Sequence, residues 1–283
     1  MLKAVAILLL MASLACARPA VAADRFFMTS DGVRLHYTDV GSGQALVFVP
    51  GWTMPGWIFD RQVAAFAPRH RVIVLDPRGQ GDSEAPGGGY DSNRRGQDIG
   101  ELLARLAPQR PVVIGWSLGV LDTLAYVHSA GDGALSGLVL IDNSVGEDPP
   151  PAAPPRTPAH KAPKLTHEAY MAAFVRGMFA RPQPAEFLRR LTQATLRTPE
   201  FAAHAMLSIN LPRSYWKEAI YATVKPVLYV VRPKFAGQAG NLAAHHPAAE
   251  TVVVDHLGHA LFVDDPARFN AILDDFLKRR VRP

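Results

Sequence analysis

Residues 112–121 read Val-Val-Ile-Gly-Trp-Ser-Leu-Gly-Val-Leu, and this stretch decides the fold. Its first half is apolar and predicts a short buried strand, whereas the residues after Ser117 predict a helix that runs to about residue 129. Gly115 and Gly119 lie two positions on either side of Ser117, which is the G-x-S-x-G pattern of a nucleophile elbow. A strand that turns at once into a helix forces the serine into a strained conformation with positive φ, and side chains at the two glycine positions would collide.

The turn has a chemical consequence for Ser117. It lifts the hydroxyl oxygen clear of the sheet and points the N-terminus of the following helix at it. The partial positive charge of that helix end stabilises a developing anion. The stretch therefore predicts Ser117 as a nucleophile.

Strand and helix patterns alternate on both sides of the elbow. A hairpin is expected around Asp31-Gly32, since alternating residues flank this turn signal. Further strands are predicted at 45–49, 72–75, 138–141, 226–231 and 251–254, and further helices at 57–67, 94–106 and 266–279. This alternation indicates an α/β fold with a mostly parallel central sheet and helices on both faces.

The pattern changes between Asp142 and Pro226. Clustered prolines from Pro149 to Pro163 exclude a helix or a central strand and indicate a stiff arm. Four short helical patterns follow, at 167–180, 185–196, 199–210 and 215–222. We therefore expect residues 143–222 to form a Pro-rich arm and a helical cap inserted into a core of residues 23–142 and 223–283.

Residues 1–22 have the features of a secretory signal peptide. Lys3 precedes an apolar run at 4–14, and Ala20-Val21-Ala22 is an A-x-A cleavage site. The apolar run is too short to span a bilayer comfortably, and no stable membrane span is expected in the mature chain. We therefore expect an exported protein, either periplasmic or secreted.

The only cysteine, Cys16, lies inside this leader. Acylation of Cys16 in a lipoprotein is the alternative, but Ser13 stands where such sites usually carry leucine. The mature chain would otherwise contain neither a disulfide nor a thiolate metal site. The formal charge of +5 is spread along the chain without a basic run, so nucleic acid is not an expected partner.

Four motifs together resemble the α/β-hydrolase superfamily along nearly the whole mature chain. They are the elbow, the loop Pro50-Gly51-Trp52, the turn Asp76-x-Arg78-Gly79-x-Gly81-x-Ser83 and the late Gly258-His259. The elbow and the Gly-Trp loop are similar to those of cofactor-independent carboxylesterases, including pimeloyl-carrier methyl ester esterases. The resemblance implies an α/β-hydrolase fold and a small ester substrate, with no cofactor and no metal. One departure is Pro50, where family members usually carry histidine.

The resemblance also implies His259 as the general base. A serine hydroxyl is a poor nucleophile at neutral pH and needs an adjacent base. His259 follows a strand and a glycine, on a loop expected beside the elbow at the carboxyl edge of the sheet. His256 is the nearest competitor for this role.

The acid departs from the superfamily's usual pattern. In most relatives an aspartate follows the strand that here ends at Val231, whereas this chain continues Arg232-Pro233-Lys234-Phe235. Asp142 is the preferred acid, because it ends the strand before that one and some superfamily members place the acid there. Asp255 is an alternative, as is a Ser–His pair without an acid.

The oxyanion hole is expected from the backbone N–H groups of Leu118 and Trp52. The side chains of Trp52 and Trp116 are candidates for lining an acyl pocket, although both could equally be core residues. Asp76 and Arg78 are expected to fix the loop that carries the first oxyanion donor. Apolar residues at helical spacing in the cap favour an apolar acyl or alcohol group.

These observations predict an exported serine hydrolase that cleaves carboxylic esters or thioesters through an acyl-enzyme on Ser117. Two alternatives remain open. The same residues can catalyse perhydrolysis or C–C cleavage without a cofactor. A non-catalytic binding protein on the same fold is the other alternative, and the missing acid after Val231 is its only support.

Overall fold

The structure is a computed structural model in which residues 23–151 and 165–281 are described. The predicted signal peptide 1–22, with Cys16, lies outside the described residues. So does the part of the Pro-rich arm at 152–164. Among the helices of the described ranges, none combines the length and the hydropathy that a membrane crossing requires.

In the described part of the chain, eight strands form one sheet in the order β1-β2-β4-β3-β5-β6-β7-β8. β2 pairs antiparallel with both of its neighbours, and all other pairs are parallel. The strands are β1 (Ala23–Met28), β2 (Arg34–Val40), β3 (Ala45–Val49), β4 (Arg71–Leu75), β5 (Val112–Trp116), β6 (Gly137–Ile141), β7 (Val227–Val231) and β8 (Ala249–Val253).

Ten α-helices accompany the sheet within residues 23–151 and 165–281. They are α1 (Asp60–Phe66), α2 (Ser92–Leu106), α3 (Leu118–Ala130), α4 (His167–Gly177), α5 (Ala185–Leu196), α6 (Glu200–Leu207), α7 (Arg213–Ala222), α8 (Ala236–His245), α9 (Leu261–Asp264) and α10 (Pro266–Arg280). The helix predicted at 57–67 divides into a 3₁₀ turn, Gly56–Phe59, followed by α1. Helices α8 and α9 were not predicted.

Both faces of the sheet are buried, because successive side chains of a strand point to opposite sides. In β5, Val113 belongs to the hydrophobic cluster on one face, whereas Val112 and Ile114 belong to the cluster on the other. Helices cover both clusters, for example through Leu124 of α3 on the first and Phe276 of α10 on the second. The predicted α/β class with a mostly parallel sheet is confirmed.

Helices α4 to α7, here called the cap helices, lie between β6 and β7 in the chain. Trp216 and Ile220 of α7 pack in the same hydrophobic cluster as Leu121 of α3. Helix α7 is thereby packed against the helix that follows the elbow.

Parallel strands bring their carboxyl ends to one edge of the sheet. Strands β5, β6, β7 and β8 are neighbours in the sheet. Each of them is followed, at the carboxyl edge of the sheet, by a polar side chain of the candidate site. These side chains are Ser117 after β5, Asp142 after β6, Arg232 after β7 and His259 on the loop after β8.

Candidate active site

Ser117 lies on the sharp turn between β5 and α3. Its backbone has φ 55° and ψ −121°, a conformation that residues other than glycine rarely adopt. A Cβ at Gly115 would run into the backbone of Gly119, and a Cβ at Gly119 would run into the carbonyl of Val49. The predicted geometry of the elbow is confirmed.

His259 faces the serine. Its Nε2 lies 2.8 Å from the Ser117 Oγ, within hydrogen-bond distance. The loop that carries the ring is fixed at Gly258, whose N–H donates to the Asp264 carboxylate at 2.6 Å. A Cβ at Gly258 would collide with the backbone at Met178 and Phe179, so only glycine fits between this loop and the end of α4.

Asp142 contacts the other ring nitrogen of His259. Its Oδ2 lies 2.6 Å from Nδ1, and its side chain is fully buried. Burial alone would raise the pKa of Asp142, but the hydrogen bond from His259 and the charge of Arg232 hold it below its ordinary value. An ionised Asp142 accepts a hydrogen bond from Nδ1–H of His259, which leaves the Nε2 lone pair free to accept a hydrogen bond from the hydroxyl of Ser117.

Arg232 completes the surroundings of this carboxylate. Its backbone N–H donates to Oδ1 of Asp142 at 3.0 Å, and its side-chain Nε donates to Oδ2 at 2.6 Å. Its Nη2 lies 3.3 Å from Nδ1 of His259. The sequence showed that an acid is missing at this position, but it did not indicate that the arginine pairs with Asp142.

The two competing residues lie on the loop before His259. Asp255 and His256 are both exposed, and the structure does not bring either of them to Ser117. The carboxylate that contacts the ring of His259 is that of Asp142. Two hydrogen bonds therefore link three side chains in a row across neighbouring strand ends, in the order Ser117, His259 and Asp142.

The loop after β3 approaches Ser117 closely. A Cβ at Gly51 would lie 2.8 Å from the Ser117 Cβ and 3.2 Å from its Oγ, so glycine is required there. Leu118 is the first residue of α3, where backbone N–H groups have no partner within the helix. The predicted oxyanion donors at Trp52 and Leu118 thus belong to the two segments that flank the hydroxyl.

Gln80 holds this loop, and the sequence did not identify it. The side-chain amide donates to the carbonyls of Gly51 and Met54 at 3.1 and 3.2 Å, and its oxygen accepts the N–H of Thr53 at 2.8 Å. Thr53 has φ 59°, which is strained for a β-branched residue, so the loop depends on such contacts. The only signal was the position of Gln80 inside the Asp76–Ser83 motif.

Asp76 and Arg78 have different roles from each other. Asp76 accepts the N–H groups of Gly56 and Asp82, so it supports the segment that follows the Gly-Trp loop. The guanidinium of Arg78 instead forms two hydrogen bonds of 2.7 Å to Asp98 of α2. The expectation that Arg78 fixes the oxyanion loop is wrong, because its fully buried side chain points to the helix.

The two tryptophans lie in different surroundings. Trp116 is 1% exposed, and its indole N–H donates to the carbonyl of His259 at 2.9 Å. Trp116 is therefore a core residue in this structure, which is one of the two interpretations left open by the sequence. The indole N–H of Trp52 donates to the carbonyl of Ala203 in α6 at 2.8 Å, and its ring packs edge-on against Phe174 of α4.

Trp52 also borders a cavity of about 500 Å³ between α4 and α6. Tyr170 and Leu207 contribute apolar surface to its walls, and both side chains are half exposed. Trp52 therefore joins the wall of this cavity to the loop in which its neighbour Gly51 approaches Ser117.

Asn143 is a second residue that the sequence did not identify. Its side-chain N–H donates to the carbonyl of Ser117 at 2.8 Å, and its own carbonyl accepts the hydroxyl of Tyr229 in β7 at 2.7 Å. These two bonds tie the elbow to β7 across the intervening strand β6. Nothing in the spacing of the sequence indicates this contact.

Comparisons with known proteins agree with this fold. A family model described as "Alpha/beta hydrolase family" matches residues 46–272. A putative aryl esterase from Burkholderia cenocepacia has a similar fold, with a TM-score of 0.77 and 24% identity over 90% of this chain and 98% of that chain. At this identity the likeness shows the fold alone.

Two curated relatives represent the range of names among the matches. A pimeloyl-[acyl-carrier protein] methyl ester esterase of Vibrio parahaemolyticus is 25% identical over 261 residues, which cover 86% of this chain and 97% of the relative. A non-heme haloperoxidase of Rhodococcus erythropolis is 34% identical over 117 residues, which cover 41% of this chain and 43% of the relative. The matches to the first curated relatives span about two fifths of those relatives' length or less.

Proposed function

This chain belongs to the alpha/beta hydrolase family, and from that premise we propose that it is an exported serine hydrolase that cleaves carboxylic esters or thioesters. The observation that carries the proposal is the row of hydrogen bonds from the Ser117 hydroxyl to His259 and from His259 to Asp142, at 2.8 and 2.6 Å. Such a row meets the need of a serine nucleophile for an oriented base.

In the proposed reaction, the Ser117 Oγ attacks the carbonyl carbon of the ester while Nε2 of His259 accepts the hydroxyl proton. Asp142 stabilises the imidazolium that forms. The imidazolium then donates its proton to the leaving alcohol, which gives an acyl-enzyme. Water activated by the same imidazole hydrolyses the acyl-enzyme and restores Ser117.

The negative oxygen of the tetrahedral intermediate is proposed to lie between the backbone N–H groups of Trp52 and Leu118. The close approach of Gly51 to Ser117 supports this assignment, because it places the loop against the reacting oxygen. Each such donor contributes about 3 kcal/mol of transition-state stabilisation. The reaction as proposed requires neither a metal nor a cofactor.

The proposed substrate is a small ester with an apolar acyl or alcohol group. The support is the cavity bordered by Trp52, Tyr170 and Leu207. Relatives named as esterases, such as the methyl ester esterase of Vibrio parahaemolyticus, favour this substrate class. Export is proposed from the sequence of residues 1–22.

A fluorophosphonate probe tests the proposal without knowledge of the substrate. We expect the wild-type protein and Ser144→Ala to be labelled, and Ser117→Ala not to be labelled. Ser144 is a matched control, because its hydroxyl lies on the neighbouring loop and bonds to Gln238. A folded wild-type protein that takes up no label would overturn the hydrolase proposal and favour the binding protein.

The match to a relative named as a non-heme haloperoxidase favours a second candidate function. Hydrogen peroxide in place of water would attack the same acyl-enzyme and release a peracid, with Ser117 restored. Acetate and hydrogen peroxide offered to the wild-type protein and to Ser117→Ala test this candidate. Formation of peracetic acid that depends on Ser117 would support perhydrolysis alongside ester hydrolysis.

A further inference from the structure

We propose that Arg232 is a positioning residue for the hydrolytic reaction: it holds the Asp142 carboxylate towards His259 and places a positive charge beside the imidazole ring. This inference rests on the proposed function. It concerns a residue that follows β7, outside the row of Ser117, His259 and Asp142.

The first argument is the geometry of the carboxylate. Arg232 contacts both oxygens of Asp142, one through its backbone N–H and the other through Nε, at 3.0 and 2.6 Å. Two donors on two oxygens fix the rotation of a carboxylate about its Cβ–Cγ bond. The oxygen that faces His259 is therefore set by Arg232 and not by the histidine alone.

The second argument is the shared oxygen. Oδ2 of Asp142 accepts from Nε of Arg232 and from Nδ1 of His259, each at 2.6 Å. Nη2 of Arg232 lies 3.3 Å from Nδ1. When Nδ1 carries its proton, both of these nitrogens are donors, so this approach is no hydrogen bond. It brings a permanent positive charge to the edge of the imidazole ring.

The third argument is the balance of charge around His259. The negative charge of Asp142 stabilises a positively charged imidazole. The guanidinium of Arg232 destabilises it, because like charges a few ångströms apart repel each other. Asp264 of α9 faces the same loop and accepts the N–H of Gly258. Lys234 lies two residues beyond Arg232, with its ammonium over the Phe235 ring. Arg232 thus places its guanidinium 3.3 Å from a ring nitrogen of His259.

The rate of labelling by a fluorophosphonate, measured between about pH 5 and pH 9, tests this proposal, because it reports the activated serine directly. The variants are Arg232→Gln, which removes the positive charge, and Arg232→Lys, which keeps the charge but loses the planar guanidinium group and its N–H donors. The matched control is Lys225→Gln, which removes one positive charge just before β7, at the rim of the sheet opposite Asp142. Thermal unfolding verifies that each variant is folded.

We expect the acid limb of the labelling profile to move to higher pH by about one unit in Arg232→Gln, which lowers the rate about tenfold on that limb. The rate at the alkaline plateau should also fall by about threefold or more, because this variant loses the side-chain donor to Asp142 as well. Arg232→Lys should keep the acid limb of the wild type and lose about threefold or more at the plateau. Lys225→Gln should match the wild type within about twofold.

A merely structural role for Arg232 would lower the rate equally at every pH, so an unmoved acid limb in folded Arg232→Gln overturns the inference. If that variant does not fold, Arg232→Lys decides. A shifted limb or an unchanged plateau in Arg232→Lys overturns the inference as well. A wild-type protein that is not labelled at any pH contradicts the proposed function instead, so the two failures are distinguishable.

Discussion

The indole N–H of Trp116 donates a hydrogen bond to the backbone carbonyl of His259. The residue directly before Ser117 therefore holds the loop that carries the ring facing Ser117. The ring of Trp116 also lies 5.0 Å from the ring of Phe262, edge-on, just beyond that loop. Two segments that are 143 residues apart are joined at the point where the proposed chemistry takes place.

Trp116→Phe tests this connection, because it keeps an aromatic ring and removes the N–H. We expect the free energy of unfolding to fall by about 1 kcal/mol and kcat/KM for p-nitrophenyl acetate to fall about tenfold. Trp57→Phe is the control, since the Trp57 ring contacts Phe187 and Arg190 away from Ser117. Equal activity in the two variants would show that the indole bond does not position His259.

Asp142→Asn tests the assignment of Asp142 as the acid that orients His259. The substitution removes the charge that stabilises the imidazolium and permits the wrong ring tautomer, so we expect kcat to fall about 10²- to 10⁴-fold. The measurement is hydrolysis of p-nitrophenyl acetate by folded protein. Asp255→Asn should retain wild-type activity. If Asp142→Asn stays active and Asp255→Asn does not, the assignment of the acid is wrong.

Gln80→Leu tests the support of the oxyanion loop. The substitution leaves the Thr53 N–H and two carbonyls without their partner, so we expect about 1–3 kcal/mol of stability to be lost. The kcat should fall by about tenfold or more with a smaller change in KM, because the loop acts on the transition state.

Gln44→Leu is the matched control for this loop. Its amide bonds to Arg110 and Ser136 at the opposite edge of the sheet, where β3 begins. We expect this variant to lose stability without a change in kcat. An equal loss of kcat in both glutamine variants would attribute the effect at Gln80 to general destabilisation.

Glu147 predicts a dependence of stability on pH. Its buried carboxylate contacts Lys217 at 2.8 Å and Asn241 at 2.7 Å, and it accepts the hydroxyl of Tyr221. Burial alone would raise the pKa of Glu147, but these contacts lower it from 4.5 to about 2. The stabilisation is complete above the unfolded pKa and is lost as the pH falls through the folded pKa.

We expect wild type to exceed Glu147→Gln by about 2 kcal/mol in the free energy of unfolding near neutral pH. The difference should shrink progressively as the pH falls from 4.5 towards 2. Urea unfolding of both proteins at several pH values gives the measurement. A difference that stays constant over this range would mean that the charge of Glu147 does not contribute.

Leu207→Trp tests the cavity between α4 and α6. A larger side chain in its wall should exclude long acyl groups, so we expect the ratio of kcat/KM for p-nitrophenyl octanoate to that for the acetate to fall about fivefold. Val224→Trp is the control, because Val224 is 79% exposed and does not border this cavity. An unchanged ratio in Leu207→Trp would assign the acyl group to another surface.

The sequence predicted the elbow and the class of the fold because their signals are local. The apolar run before Ser117 and the glycines around it are dictated by a turn of a few residues. Helix α8 was missed, since its sequence Ala-Gly-Gln-Ala-Gly-Asn-Leu-Ala-Ala-His contains two glycines and few large apolar residues.

The contacts around the site were harder to predict, because they depend on which strands are neighbours. Arg232 pairs with Asp142 only because β7 lies beside β6 in the sheet. The amide of Gln80 reaches the Gly51–Met54 loop across the ends of β3 and β4. Which face of β5 carries Trp116 likewise follows from packing and not from its position next to Ser117.

The four side chains of the candidate site all follow the carboxyl ends of β5 to β8, so the opposite rim of the sheet carries none of them. The turn at residues 131–136, between α3 and β6, lies on that far rim, a full strand length away from the elbow. A peptide tag or a surface-attachment sequence grafted at Gly133, where an added side chain would meet open space, would extend away from Ser117 and His259. The architecture thereby provides a handle for immobilising the protein in its working orientation.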